Sequence, residues 1–206
     1  MKVSSHRDKV SRLADTNIPT RFGHFRAIAF RDIDGSREHL ALTLGDLVDK
    51  HDVLTRIHSE CLTGDALYSL RCDCGLQLRA SFEQIAITGI GVIIYLGGHE
   101  GRGIGLSAKL KAYELQDTGL DTVDANLHLG LPADARSYVA AALILRDLQI
   151  ESIRLLSNNP IKAADLTRNG VRVVEQLSLV TDVNPHALHY LQTKRDRLGH
   201  YLPHVP

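Results

Sequence analysis

Apolar and polar positions change rhythm twice along this chain, and the changes mark out its elements. Between Arg21 and Phe30 apolar residues alternate with polar ones as in a half-buried strand, and His39 to Leu44 alternates again. Asp32-Ile33-Asp34-Gly35 between them has turn composition, so the pair predicts a β-hairpin. Val53 to His58 predicts another strand. From Leu76 to Ile87 the spacing becomes helical and stops before Gly89, Gly91 to Leu96 is a continuous apolar strand, and Ile104 to Leu115 is helical again. There follow a helix from about Ser137 to Leu148, a strand from Ser152 to Leu156, a helix from Pro160 to Arg168 opened by its proline, and a strand from Val171 to Val174. A last helix, His186 to Leu198, carries Lys194, Arg195 and Arg197 near its C-terminal end, where the helix dipole favours cations. The fold class expected is α/β: an N-terminal β-hairpin and strands, then right-handed βα units, in a mixed sheet packed with helices. Residues 1–15 are polar and read as an N-terminal arm, ordered or flexible, or a short peripheral helix. Residues 16–206 then form one domain.

Charge and composition narrow the function. The 24 acidic and 24 basic residues balance, which argues against a general binder of nucleic acid or membrane surface. No apolar run approaches the roughly 18 residues that span a bilayer, and Met1 to Lys9 is too polar for a signal peptide. A cytoplasmic protein is expected. All three cysteines fall in one stretch, Cys61-x10-Cys72-x-Cys74, an odd number that suits a reducing compartment. Three sulfurs with a fourth position open is the pattern of catalytic zinc. Thiolates would make that centre a weak Lewis acid, so help from Glu60, His58 or Asp73 is expected. Packing of the thiols as small hydrophobes is the competing reading, and their charged neighbours count against it.

Two loops look suited to anions. Gly97-Gly98-His99-Glu100-Gly101-Arg102-Gly103-Ile104-Gly105 joins a strand to a helix, and its glycines let backbone N–H groups approach a ligand. It is neither a G-x-G-x-x-G fingerprint nor a Walker loop. Either it binds an anion, with Glu100 and Arg102 as acceptor and donor, or it is a structural turn. Ser157-Asn158-Asn159-Pro160-Ile161-Lys162 repeats the geometry with a hydroxyl, two amides and a lysine one turn into a helix, or is simply a capped helix start. Asp134, two residues before Arg136, is placed either to cap the next helix or to work with that arginine.

Taken together, Arg-x-His-Ser-Glu-Cys-Leu-Thr-Gly-Asp, Arg-Cys-Asp-Cys-Gly, Glu-Gly-Arg-Gly-Ile-Gly-Leu, Lys-x-x-Ala-Tyr-x-Leu-Gln-Asp, Asp-Thr-Val-x-Ala-Asn, Asp-Ala-Arg, Asn-Asn-Pro and Tyr-Leu-x-Thr-Lys-x-Asp-x-x-Gly-His resemble GTP cyclohydrolase II, in its standalone form, from about Ile18 to Leu202. The resemblance implies a GTP cyclohydrolase II-like single domain. It also implies a homodimer that uses Zn2+ on Cys61, Cys72 and Cys74, with Mg2+ on the triphosphate, to hydrolyse GTP to formate, pyrophosphate and a diaminopyrimidine, the first step of riboflavin biosynthesis. By resemblance Tyr113 serves the ring chemistry, Asp134 is the proton acceptor and Arg136 the proposed nucleophile at the α-phosphate, where it either bonds to phosphorus or only stabilises charge. Carried over as GTP contacts are Arg56, Ile57, His58, Ser59 and Glu60, then Gln77, then Glu100, Gly101 and Arg102, then Thr122, Ser157 and Lys162. Gly97 and His99 stand where the family commonly has Arg and Gln, and Ser157 where it has Thr. Two other readings remain: a paralogue that stops at the formamidopyrimidine or takes another purine nucleotide, and a zinc- and nucleotide-binding regulator without turnover.

Overall fold

The continuous apolar runs become the middle of one sheet. In this computed structural model, which describes residues 10–32 and 34–206, the strands are β1 (Ser11–Thr20), β2 (Gly23–Arg31), β3 (Glu38–Leu44), β4 (Val53–Ser59), β5 (Gly91–Leu96), β6 (Ile153–Leu156) and β7 (Val173–Leu177). Their order is β1-β2-β3-β5-β4-β6-β7. The pairs from β1 to β5 are antiparallel, and β5-β4, β4-β6 and β6-β7 are parallel. The expected hairpin is β2-β3, in register from Arg26↔Thr43 to Arg31↔Glu38.

Helices cover both faces. They are the single turn α1 (Leu62–Asp65), α2 (Cys74–Thr88), the single turn α3 (Glu100–Gly103), α4 (Leu106–Asp117), α5 (Thr122–His128), α6 (Val139–Asp147), α7 (Pro160–Arg168) and α8 (Leu188–Leu198). On one face Ile28, Phe30, Ile57, Val92 and Ile94 pack against Ala141, Ile144 and Leu145 of α6 and Leu166 of α7. On the other, Phe25, Leu42, Leu54 and Ile93 pack against Ile85 of α2, with Leu78 and Phe82 alongside. Alternation along β4 therefore sends Val53 and Ile57 to the α6 face and Leu54 to the α2 face. Burial on both faces is what the unbroken apolar run of β5 requires.

The β4 strand pairs with β5 on one side and β6 on the other, so the order of the parallel strands reverses there. In open α/β sheets ligands bind beyond the carboxyl ends of the strands at such a point. Here those ends are Ser59, Leu96 and Leu156, and each releases one of the loops singled out above.

Four elements differ from expectation. Residues 1–9 lie outside the described residues, but Ser11–Thr20 is a strand, not an arm or helix, paired with β2 from Ser11↔Arg31 to Thr20↔Gly23. This edge strand is exposed almost throughout, so it has no apolar rhythm to read. Its ladder is reinforced by ion pairs from Arg26 to Asp15 and from Arg12 to Asp147, each 2.6 Å. The helix expected from Ser137 begins at Val139, and Asp134 does not cap it. A short helix, α5, was not foreseen; Asp121 Oδ1 caps it, accepting from the N–H groups of Val123 and Asp124. The last helix splits into a 3-10 turn, Pro185–Ala187, followed by α8.

Candidate active site

The three thiols converge. Cys61 follows β4, Cys74 opens α2 and Cys72 lies just before it, and the sulfurs fall within 4.8 Å of one another. Cys61 Sγ and Cys72 Sγ are 3.8 Å apart. Tetrahedral zinc with Zn–S bonds of about 2.3 Å demands S···S separations of about 3.8 Å, so the trio fits the ion. Gly64 makes the convergence possible: a Cβ there would lie 2.7 Å from Cys72 Sγ and 3.2 Å from Cys61 Sγ. The thiols also compete for charge. Hydrogen bonds from Cys72 and Cys74 pull the Cys61 pKa far below that of an ordinary thiol, while Cys72 is pushed up to about 11, chiefly by its hydrogen bond to Cys61.

A lysine absent from the expected site supports that negative charge. Lys109 of α4 donates to Cys61 Sγ at 3.1 Å, to Thr63 Oγ1 at 2.7 Å and to Glu100 Oε1 at 2.5 Å. Glu100 also accepts from Leu62 N at 2.6 Å. Its carboxylate is thus held between Lys109 and the start of α1, outside the lining of both chambers described below. The acid/base helpers expected beside the thiols are also reassigned. Asp65 accepts from His58 Nε2, Cys61 N and Tyr95 Oη, all at 3.0 Å. Asp73 accepts from Lys194 Nζ and Gln77 Nε2, each at 2.5 Å. Of the three candidates only Glu60 lines the thiol chamber.

Two chambers meet at the strand ends. The first holds the thiols with Glu60, His99, Gly101, Tyr113 and Thr122. The second is floored by Arg56, Gln77, Ser157 and Lys162, with His58 in its wall. Ser59, Cys74, Arg102, Arg136 and Tyr190 line both. The expected site residues that line neither are Ile57, Glu100 and Asp134. Ile57 turns its side chain into the core and offers only its carbonyl, which accepts from Lys162 Nζ at 2.7 Å.

The second chamber is strongly cationic. Arg56 donates to Leu156 O at 2.9 Å and to Gln77 Oε1 at 2.6 Å. Burial, then Arg56, Arg136 and Lys194, push the Lys162 pKa well down. Arg102 sits in a left-handed conformation, φ 63°, inside the α3 turn. Both its terminal nitrogens are buried without a hydrogen-bond partner among the described residues. A buried, unpaired guanidinium is costly, and an anionic ligand is the natural remedy.

Asp134 grips Arg136 in a two-pronged pair, Oδ1 accepting from Nε at 2.9 Å and Oδ2 from Nη2 at 2.5 Å. The pair raises the Arg136 pKa against the opposing effect of burial. Arg136 Nη1 also reaches Ser59 Oγ at 3.4 Å, while Ser59 Oγ lies 3.2 Å from His99 Nδ1. At Gly97 there is no room for a side chain, since a Cβ would fall on the Glu38 carbonyl oxygen. The Arg37 side chain instead lies across the neighbouring Gly98, bringing a cation from another loop to this turn.

The chain is similar to known proteins over nearly its whole length. A family model described as GTP cyclohydrolase II matches residues 11–178. The GTP cyclohydrolase-2 of Streptomyces coelicolor is 53% identical over 204 residues, 99% of this chain and 92% of that protein. The riboflavin biosynthesis protein RibBA of Salinispora arenicola is 57% identical over 194 residues, 94% of this chain. The chain spans about half the length of the RibBA relatives it matches, 46% in that case. Among solved structures, RibBX, a two-domain 3,4-dihydroxy-2-butanone 4-phosphate synthase from A. baumannii, aligns with a TM-score of 0.48 at 24% identity over 84% of this chain and 41% of that one, a likeness too slight to argue from. The motifs, the thiol cluster and the family match agree: this chain belongs to the GTP cyclohydrolase II family.

Proposed function

We propose that the chain hydrolyses GTP, opening the imidazole ring at C8 and releasing formate and pyrophosphate. The product is 2,5-diamino-6-(5-phospho-D-ribosylamino)pyrimidin-4(3H)-one, the first committed intermediate on the way to riboflavin. The observation that carries this reading is Arg102: a buried guanidinium with unpaired nitrogens at the junction of a thiol chamber and a cationic chamber. One molecule with a ring at the thiols and phosphates on the cations satisfies both chambers.

Zinc held by Cys61, Cys72 and Cys74, when bound, supplies activation of water beside the purine. The residues of the chain do the rest. Arg102, Arg56 and Lys162 draw in the triphosphate, with Mg2+ travelling on it, and the phosphate charge offsets the repulsion from Arg56, Arg136 and Lys194 that adds to burial in lowering the Lys162 pKa. Tyr113 faces the thiols as a neutral phenol, its pKa raised by burial, and donates to the purine. Glu60, the carboxylate in the same chamber, takes up protons as the ring opens. Arg136, a permanent cation oriented by its pair with Asp134, stabilises charge at the α-phosphate as pyrophosphate leaves. That assignment makes Arg136 an electrostatic clamp and Asp134 its orienting partner. We further infer a cytoplasmic location, in keeping with three free thiols in one cluster, and a homodimer only as the resemblance implies.

His99 favours one alternative, because its ring occupies the thiol-chamber wall where the family commonly has glutamine. A paralogue that stops at the formamidopyrimidine would open the ring and keep the formyl carbon. Purified protein given GTP and Mg2+ decides between them. Formate and pyrophosphate in equal yield support the full reaction, and a formylated product without free formate supports the paralogue. GTP bound and returned unchanged would leave a binding protein without turnover.

A further inference from the structure

The family match ends at residue 178, yet both chambers are completed by residues beyond it. Tyr190, on α8, lines both chambers, and Lys194 and His200 line the cationic one. The helix is attached to the domain chiefly through polar anchors. Lys194 Nζ donates to Asp73 Oδ1 at 2.5 Å, and Lys194 is 8% exposed. Arg197 reaches Asp121, the cap of α5, at 2.5 Å and Asp124 on α5 at 3.1 Å, and Tyr201 N donates to Asn158 O at 2.9 Å. Its Leu191, with Ala187 of the preceding 3-10 turn, clusters with Leu202 and Val205 of the chain's own tail, apart from the two sheet-facing cores.

This placement gives the helix two kinds of work. Tyr190 presents its ring to Lys194 Nζ at 4.6 Å and to the Arg102 guanidinium at 5.8 Å, cation–π distances that fix the ring between the two cations. Any molecule reaching from the thiols to Lys162 passes the waist formed by Tyr190, Arg136 and Ser59. Lys194, through Asp73, ties the helix to the loop that carries Cys72 and Cys74, and Asp73 in turn holds Gln77 and, through it, Arg56.

We infer that α8 is the closing wall of the nucleotide site: Tyr190 positions the sugar at the waist between the chambers, and Lys194 is the strut that holds Tyr190 there. The inference rests on the GTP reading for the identity of the ligand. It takes Lys194 as a positioning residue, acting through Asp73 and Tyr190.

The test measures the Kd of a non-hydrolysable GTP analogue, together with KM and kcat for GTP, in the wild type, Tyr190→Leu, Tyr190→Phe, Lys194→Gln and Lys194→Arg, with thermal unfolding followed on each. Expected are a rise of about tenfold in Kd and KM for Tyr190→Leu with kcat changed less than threefold, little change for Tyr190→Phe, a rise of about fivefold for Lys194→Gln, and recovery in Lys194→Arg. A purely structural helix would lower the unfolding temperature and leave Kd alone. Analogue affinity within twofold of wild type in folded Tyr190→Leu overturns the inference. Were that variant not to fold, the same result in Lys194→Gln, which removes the ammonium that pairs with Asp73, overturns it. If wild type binds the analogue without consuming GTP, the proposed reaction fails, while the affinity comparison still decides the role of α8.

Discussion

Lys109 Nζ lies 3.1 Å from Cys61 Sγ, and the same ammonium pairs with Glu100 at 2.5 Å. Sulfur, ammonium and carboxylate thus form one buried charge network around the thiol cluster. Lys109→Met should weaken zinc retention by roughly 10- to 100-fold, the usual cost of losing an outer-shell partner, as measured by transfer of the metal to a chelator. It should also destabilise the fold by about 3–5 kcal/mol, because Glu100 is left charged and buried. Adding Glu100→Gln should restore most of the stability and none of the zinc retention. Recovery of both would show that Lys109 acts on the fold alone.

Gly64→Ala puts a methyl group 2.7 Å from Cys72 Sγ. The expected result is loss of bound zinc and of turnover with the far-ultraviolet dichroism unchanged, since the α1 turn is peripheral to both cores. A variant that keeps one zinc per chain and wild-type rate would show that the thiols do not need this approach.

Arg136→Lys removes the two-pronged grip of Asp134 while keeping the charge. Pyrophosphate release should fall by about 10²- to 10³-fold, in the range seen when one preorganised charge-stabilising donor is lost. Zinc content should not change, which a coupled pyrophosphate assay and metal analysis on one sample would check.

Stability should decline in mild acid. Burial, then Arg136, Lys162, His39 and Arg37, hold the His99 pKa down to about 3, and burial followed by Lys194, Arg136, Lys162 and Arg102 holds that of His200 down to about 2. In the unfolded chain both titrate near 6.5. Between about pH 6.5 and 3 the unfolded chain therefore binds protons that the folded one refuses, so stability falls as pH falls through that window and is insensitive to these groups above it. At pH 5 each costs about 2 kcal/mol. His99→Gln should flatten the fall in unfolding temperature between pH 7.5 and 5; an unchanged slope would count against this assignment.

The rhythm of the sequence shows the central strands, and the spacing of the cysteines points to the thiol cluster, because both are local. What escaped reading depends on pairing across the fold. β1 carries no apolar alternation since its faces meet solvent, and its order comes from a backbone ladder. Glu100 gives no sign of its pairing with Lys109 until the left-handed turn at Gly101 and Arg102 brings the two together. Lys194 reads as a cation favoured by the dipole at a helix C-terminal end, and only the docking of α8 reveals it buried against Asp73. Asp134 has the composition of a helix cap, yet Arg136 two residues on is the stronger partner.

The central claim is that a thiolate-held metal ion works beside a nucleotide gripped by Arg102, Arg136 and Lys162. Zinc content and GTP turnover measured on the same preparation, before and after chelation and again after adding zinc back, test it most directly. One zinc per chain, loss of formate and pyrophosphate release in step with loss of metal, and recovery of both on reconstitution are expected. A zinc-free sample turning over GTP at the full rate would contradict it.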